Sequence, residues 1–134
     1  MRLWHKDLIP VLPRQQLLSQ WRECCCIARN IAVNGTPNHL LVNKILTYPP
    51  EHFYTYARMV QRELFKRDYV CDFNKFLKWY KDIPNCWCHE IPEQGVFACW
   101  HGKRYFDQCY YNLQEKYDCG GISEEEWQLI ELIK

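Results

Sequence analysis

The sequence predicts an all-α fold, and three observations carry that reading. Apolar residues recur at steps of three and four in successive segments. Residues that start and stop helices punctuate those segments. A chain of 134 residues, 48% apolar, is long enough for one core and one domain, 1–134.

Each element follows in order. Residues 1–12, MRLWHKDLIPVL, are expected to be extended or irregular, because Pro10 and Pro13 oppose a helix there. Pro13 suits a first helical turn instead. From Pro13 to about Val33, Leu17, Leu18, Trp21, Cys25, Ala28 and Ala32 mark a buried stripe. Arg14, Arg22 and Arg29 lie near one polar stripe, with Glu23 one step beside it. Asn34-Gly35 ends the helix, since both tolerate left-handed backbone. Residues 36–50 read as a connector holding a short helix. Pro50 opens the next helix, to about Lys66, with Phe53, Tyr56, Val60 and Leu64 inward and Arg58, Arg62 and Arg67 outward. A short helix over Phe73–Lys81 turns Phe76, Leu77 and Tyr80 inward. Residues 82–103 have no clean period and read as a loop-rich insertion. Tyr105–Tyr117 predicts a fourth helix. Ser123 opens the last one, where Ser-Glu-Glu-Glu reads as a capping box with Glu126. Trp127, Ile130 and Ile133 give it an apolar side.

Composition excludes several classes. Ordinary hydrophobicity and a net charge of +1 exclude a disordered tail. No apolar run approaches about 18 residues, so no membrane span is expected. Arg2, His5, Lys6 and Asp7 interrupt any early apolar stretch, which argues against a secretory signal. Nine cysteines is an odd count, and the run Cys24, Cys25, Cys26 is unlike a spaced disulfide framework. A reducing cytoplasm with free or metal-bound thiols is the expectation. The charge is asymmetric: residues 1–81 hold 13 Lys/Arg against 6 Asp/Glu, and residues 82–134 hold 4 against 10. A basic front face suits a polyanion, and scattered solvated charges are the alternative.

Two features carry potential chemistry. A carboxylate beside guanidinium groups, as in Arg22-Glu23, has its ionised form favoured. It can shuttle protons or stabilise a cationic intermediate, or it can be a plain surface ion pair. An α-amine titrates near 7.7–8.0, so roughly a tenth of it is neutral at pH 7, against less than about a thousandth of a lysine. Near a basic cluster such an amine is a ready nucleophile toward a sugar carbon; elsewhere it is an inert, frayed end. Arg2 is large, so Met1 is expected to persist as the terminus.

These features coincide with a family likeness. MRLW at the start, then PRQQLLSQWRE, then the Asn-Gly-Thr…Asn-His segment, resemble the pyrimidine-dimer DNA glycosylases typified by bacteriophage endonuclease V. Tyr48–Asp68 resembles that family's second long helix, ending in the turn Lys66-Arg67-Asp68-Tyr69. The resemblance covers about residues 1–70; residues 82–134 form an acidic, Cys/His- and aromatic-rich extension. It implies a compact all-α enzyme that flips a nucleotide out of damaged double-stranded DNA. The N-terminal amine, here of Met1, would attack sugar C1′, form a Schiff base and allow β-elimination. Glu23 would stabilise the iminium and aid proton transfer. Arg2, Arg22, Arg29 and His39 would position phosphates and the flipped nucleotide. The resemblance implies no cofactor, and a monomer is expected. Two departures stand out. Cys26 replaces the basic residue that follows the family's Arg-Glu pair, with Arg29 one turn further on. The family's basic C-terminal tail has no counterpart in the acidic residues 123–134.

A second constellation, Cys86-x-Cys88-His89 and Cys99-x-His101, holds enough ligand chemistry for one tetrahedral zinc. Its CxC and CxH spacings depart from CxxC, and a buried patch of thiols beside Trp87 and Trp100 is the other reading. Tyr105, Tyr110, Tyr111 and Tyr117 either stack on exposed bases or pack in the core. The sequence therefore points to a glycosylase and AP lyase on damaged DNA. The alternative is a non-catalytic nucleic-acid or protein-binding module held by zinc.

Overall fold

The computed structural model describes residues 2–134, so Met1 lies outside the described residues. Five α-helices carry the fold: α1 Arg14–Asn34, α2 Pro50–Lys66, α3 Asn74–Tyr80, α4 Lys103–Asp118 and α5 Glu124–Leu132. Short 3₁₀ turns occur at Lys6–Val11, Val42–Thr47 and Glu93–Gly95. The described residues contain no β-strand, so the all-α class holds.

α1 packs against both α2 and α3. Contact on two sides widens its buried face, which comprises Leu17, Gln20, Trp21, Cys24, Ile27, Ala28 and Ile31. Leu18, Cys25 and Ala32, expected inside, are only half-buried. Gly35 ends α1 at φ 79°, and its N–H donates to Ile31 O. On α2 the expected stripe is buried throughout, and Pro50 is its first residue. α3 brings Phe73, Phe76 and Tyr80 against Trp21, Phe53 and Tyr54 in a continuous aromatic cluster. Burying each such ring stabilises the fold by about 1.5–3 kcal/mol.

The turn after α2 shows why Asp stands at position 68: its φ is 66°, a left-handed value that Asp tolerates better than most residues. Arg67 is not an outward cation. Its guanidinium donates to the carbonyls of Leu12 at 2.7 Å and Pro10 at 3.1 Å, and to Glu63 at 2.8 Å. These carbonyls belong to the first 3₁₀ turn and the residue after it. That turn contains Pro10, where an irregular segment was expected. A 3₁₀ turn needs few bonds and accepts proline's fixed φ, and the His5 side chain caps its start by accepting from the Asp7 N–H.

α5 packs on α4 and on the Lys6–Val11 turn. The Ser123–Glu126 capping box is present. Glu126 also accepts from the Arg14 N–H at 2.8 Å, so α5 caps the start of α1. Burial works against the Glu126 carboxylate, yet the bonds from Arg14 and Ser123 hold its pKa below the usual range. Ile133, expected inside, is exposed. Tyr105 and Tyr110 are core residues, Tyr117 stacks on Trp127, and Tyr111 is 54% exposed. Residues 82–102 are loop-rich as expected, with the Glu93–Gly95 turn as their one helical piece, yet they feed the core. Val96 is buried, and Phe97, Trp100 and His101 form a second buried aromatic cluster with Tyr48, His52, Tyr56 and Tyr105.

Candidate active site

Residues 2–5 precede the first 3₁₀ turn and form no regular ladder, so their peptide groups need partners from side chains. Those partners are built in. The Arg2 N–H lies 3.2 Å from Glu23 Oε2, and the Arg2 carbonyl accepts from Gln20 Nε2 at 2.9 Å. The Leu3 carbonyl accepts from the Tyr105 hydroxyl at 2.6 Å. The Trp4 N–H donates to Gln20 Oε1 at 2.8 Å, and its carbonyl accepts from the Tyr56 hydroxyl at 2.6 Å. The Lys6 N–H donates to His101 Nδ1 at 3.0 Å. Lys6 Nζ donates to the carbonyls of Gln94 and Val96, each at 2.7 Å.

Gln20 is the hub. Though wholly buried, it accepts from Trp4 and lies 3.0 Å from the Tyr56 hydroxyl through Oε1. Its Nε2 donates to Arg2 O and reaches Glu23 Oε2 at 3.4 Å. The amide thereby aligns the amino-terminal strand of backbone with the carboxylate three residues further along α1. Buried networks with every member bonded are rigid, which is what a positioned carboxylate requires.

The electrostatics favour neutral groups beneath this segment. Burial, then the neighbouring His5 and Lys6, depress His101 to about 2. His5 is also lowered, chiefly by burial. His101 Nδ1 accepts from Lys6, so its proton sits on Nε2, and His5 places Nε2 2.8 Å from His101 O. Burial raises Tyr56 and Tyr105, which remain hydroxyl donors. Neither thiol next to Glu23 on α1 is activated: burial pushes Cys25 up to about 11 and raises Cys24 well above the usual thiol range.

The expected site residues divide. Glu23 is half-buried and meets the Arg2 backbone. The Arg2 side chain lies over the Trp4 and Tyr105 rings and donates to Cys109 Sγ at 3.7 Å. Arg22 is exposed beside Glu23 and donates to Ser19 Oγ at 3.2 Å. Arg29 shares the Arg22 stripe, about 9 Å along the helix from Glu23, where it covers Trp79. His39 lies in the connector: its N–H donates to Asn43 Oδ1 and its Nδ1 accepts from Val42 N–H, with no bond to the Glu23 cluster. Met1 lies outside the described residues.

The zinc candidates are not brought together. Cys86 Sγ donates to Lys81 O, Cys88 and Cys99 are exposed, and His101 faces inward with Nδ1 occupied by Lys6. Among the described residues, no three His, Cys, Asp or Glu side chains form a metal-binding group. Aromatic packing of His101 against Trp100 and Tyr105 turns its ring from any shared centre with the cysteines. All nine cysteines are free thiols.

Sequence reasoning missed Gln20 and His5, read Tyr56 only as a core residue, and read His101 only as a zinc candidate. Gln20 had a signal, since a polar residue sits at the centre of an apolar stripe. The histidines had none, because their partners are backbone groups about a hundred residues away.

Comparison with known proteins meets this geometry. The pyrimidine dimer DNA glycosylase family model matches residues 1–77. No curated protein and no solved structure shows significant similarity to the chain. The matched segment contains Arg2, Gln20, Glu23 and Tyr56, and hence the network that sets the Arg2 backbone against the Glu23 carboxylate. Over more than half of its length, and with an all-α fold, the chain belongs to the pyrimidine dimer DNA glycosylase family.

Proposed function

We propose that the protein is a glycosylase and AP lyase for damaged double-stranded DNA, with pyrimidine dimers as the substrate, the Met1 α-amine as nucleophile and Glu23 as the charged catalytic group. The observation that carries the reading is the 3.2 Å contact between the Arg2 nitrogen and Glu23 Oε2. One residue separates that nitrogen from the Met1 α-amine, a span of at most about 3.6 Å. A carboxylate there favours a developing cation on the amine.

In the first step the neutral amine bonds to C1′, and the glycosidic bond breaks with its electron pair leaving on the base. Opening of the sugar ring then gives a protonated imine, with O4′ taking a proton. Glu23 lies where it can stabilise that cation and relay protons. Loss of a C2′ proton next expels the 3′ phosphate by β-elimination, and water releases the amine. Arg22, exposed beside Glu23, suits a flanking phosphate, and Arg2 supports the nucleotide side through its stack with Trp4 and Tyr105. Arg29 and His39 are left to more distant backbone contacts.

The test is reductive trapping. Incubation with UV-irradiated or abasic duplex plus borohydride should give a covalent adduct whose mass maps to Met1. No adduct from an intact terminus, or one on a lysine, overturns the mechanism and returns the reading to a binding module. Glu23→Gln should bind the duplex and fail to cut it; normal cutting would show that Glu23 is misassigned.

A further inference from the structure

Where the family-matched segment meets the second half of the chain, a cleft of about 310 Å³ opens between the Val42–Thr47 turn and the start of α4. Lys44, Trp100, Gly102, Arg104, Tyr105 and Gln108 are among its lining residues, and none of the lining residues is a carboxylate. Neither Lys44 nor Arg104 is in an ion pair among the described residues. Trp100 is only 7% exposed, yet its indole Nε1–H meets no acceptor among the described residues. A buried donor without a partner is rare and calls for an explanation.

The start of α4 adds to this. Gly102 offers no side-chain cap, and the first turn carries no acidic residue. Lys103 and Arg104 stand there, where the helix dipole disfavours cations and favours an anion. Lys103 is neutralised by Asp107 at 2.8 Å. Arg104 has no such partner. An arriving anion would meet the helix N–H groups and Arg104, with Lys44 also lining the cleft.

Position decides which anion. Tyr105 lines this cleft, donates to the Leu3 carbonyl and lies under the Arg2 guanidinium, whose backbone meets Glu23. The cleft thus flanks the Glu23 site on the α4 side, as Arg22 flanks it along α1. We propose that this cleft is a phosphate subsite for the DNA strand next to the lesion, with Lys44 and Arg104 as its cations and Gln108 as a neutral donor. The proposal rests on the DNA-glycosylase reading and joins Lys44, inside the matched residues, to Arg104 and Gln108 outside them.

The test measures binding of a duplex carrying a tetrahydrofuran abasic analogue across a salt series, with the full chain. Lys44→Glu/Arg104→Glu should weaken binding at least tenfold and flatten the slope of log K against log salt by about 1.8, for two lost contacts. Lys116→Glu, a single charge reversal at the far end of α4 and half the charge change of the double variant, should leave the slope near wild type. A double variant that melts like wild type and keeps the wild-type slope overturns the subsite. So does a cleft that binds inorganic phosphate through Arg104 while the duplex slope is unchanged. Borohydride trapping by the wild type is run in parallel. Trapping with an unchanged slope sinks the subsite alone, whereas neither trapping nor duplex binding sinks the DNA reading and the subsite with it.

Discussion

Replacing Gln20 by Leu removes the hub that bonds residues 2 and 4 and puts an apolar side chain of similar size in its place on α1. Two backbone groups lose their partner: the buried Trp4 N–H and the partly buried Arg2 carbonyl. The Tyr56 hydroxyl keeps the Trp4 carbonyl. An unsatisfied buried group costs about 1–3 kcal/mol, and the partly buried one falls at the low end, so the loss comes to about 3 kcal/mol. For a chain of this size that lowers the melting temperature by about 10 °C. Activity should fall further than stability, because the Arg2 nitrogen and Glu23 are no longer held in register. A displacement of about 1 Å costs on the order of 100-fold in rate. The assays are thermal unfolding by circular dichroism and single-turnover cutting of an abasic duplex at a temperature where both proteins are folded. Gln15→Leu, an exposed change on the same helix, should shift melting by less than about 2 °C. If Gln20→Leu melts with that control and cuts at the wild-type rate, the network does not position the site.

Ser123→Ala removes half of the capping box and should cost about 1 kcal/mol, read as a melting point about 3–4 °C lower; an unchanged melting point would show that α5 does not depend on its cap. Acid should destabilise the fold through its buried histidines. His101 titrates near 2 when folded and near 6.5 when unfolded, so the unfolded chain binds the extra proton between those values. Stability from this group is therefore complete above pH 6.5 and falls by about 1.4 kcal/mol per unit below it, with His5 and His52 acting in the same direction. Denaturant midpoints that stay level from pH 6.5 to 5 would contradict this. Chelation by EDTA should leave the melting point within about 1 °C, and purified protein should carry less than about a tenth of an equivalent of zinc.

What was legible in the sequence was what depends on local periodicity. α2 begins at Pro50 and ends at Lys66 as its apolar spacing and the following turn require. Glu126 closes its capping box because that motif is set within four residues. The Arg22-Glu23 pair stands on α1 as the resemblance implied. Illegible were the features set by distant contacts. Cys24 rather than Cys25 is buried because α1 is gripped on two sides, which one helix's pattern does not encode. Arg67 reads as a solvated cation, yet bare carbonyls of the first 3₁₀ turn draw it inward. The Cys/His cluster reads as metal ligands by composition, and aromatic packing around His101 disperses it.

The family match stops at residue 77, yet the amino-terminal site is not complete there. The Leu3 carbonyl, the Lys6 N–H and the Lys6 ammonium find partners only on Tyr105, His101 and the carbonyls of Gln94 and Val96. Without them, buried polar groups beneath the Arg2–Glu23 contact would stand unpaired, at about 1–3 kcal/mol for each neutral group and more for the ammonium. The segment read as an acidic extension therefore supplies the bonding partners of residues 3 to 6. Two of these supports are main-chain carbonyls, which any residue supplies, so Gln94 and Val96 can vary in identity while their backbone stays in place. Tyr105 and His101 cannot vary so freely, because a hydroxyl and a neutral imidazole nitrogen do the bonding. A relative that shares only the first half of this chain must meet the same backbone groups with other side chains, and the place to look is opposite its own residues 3 to 6.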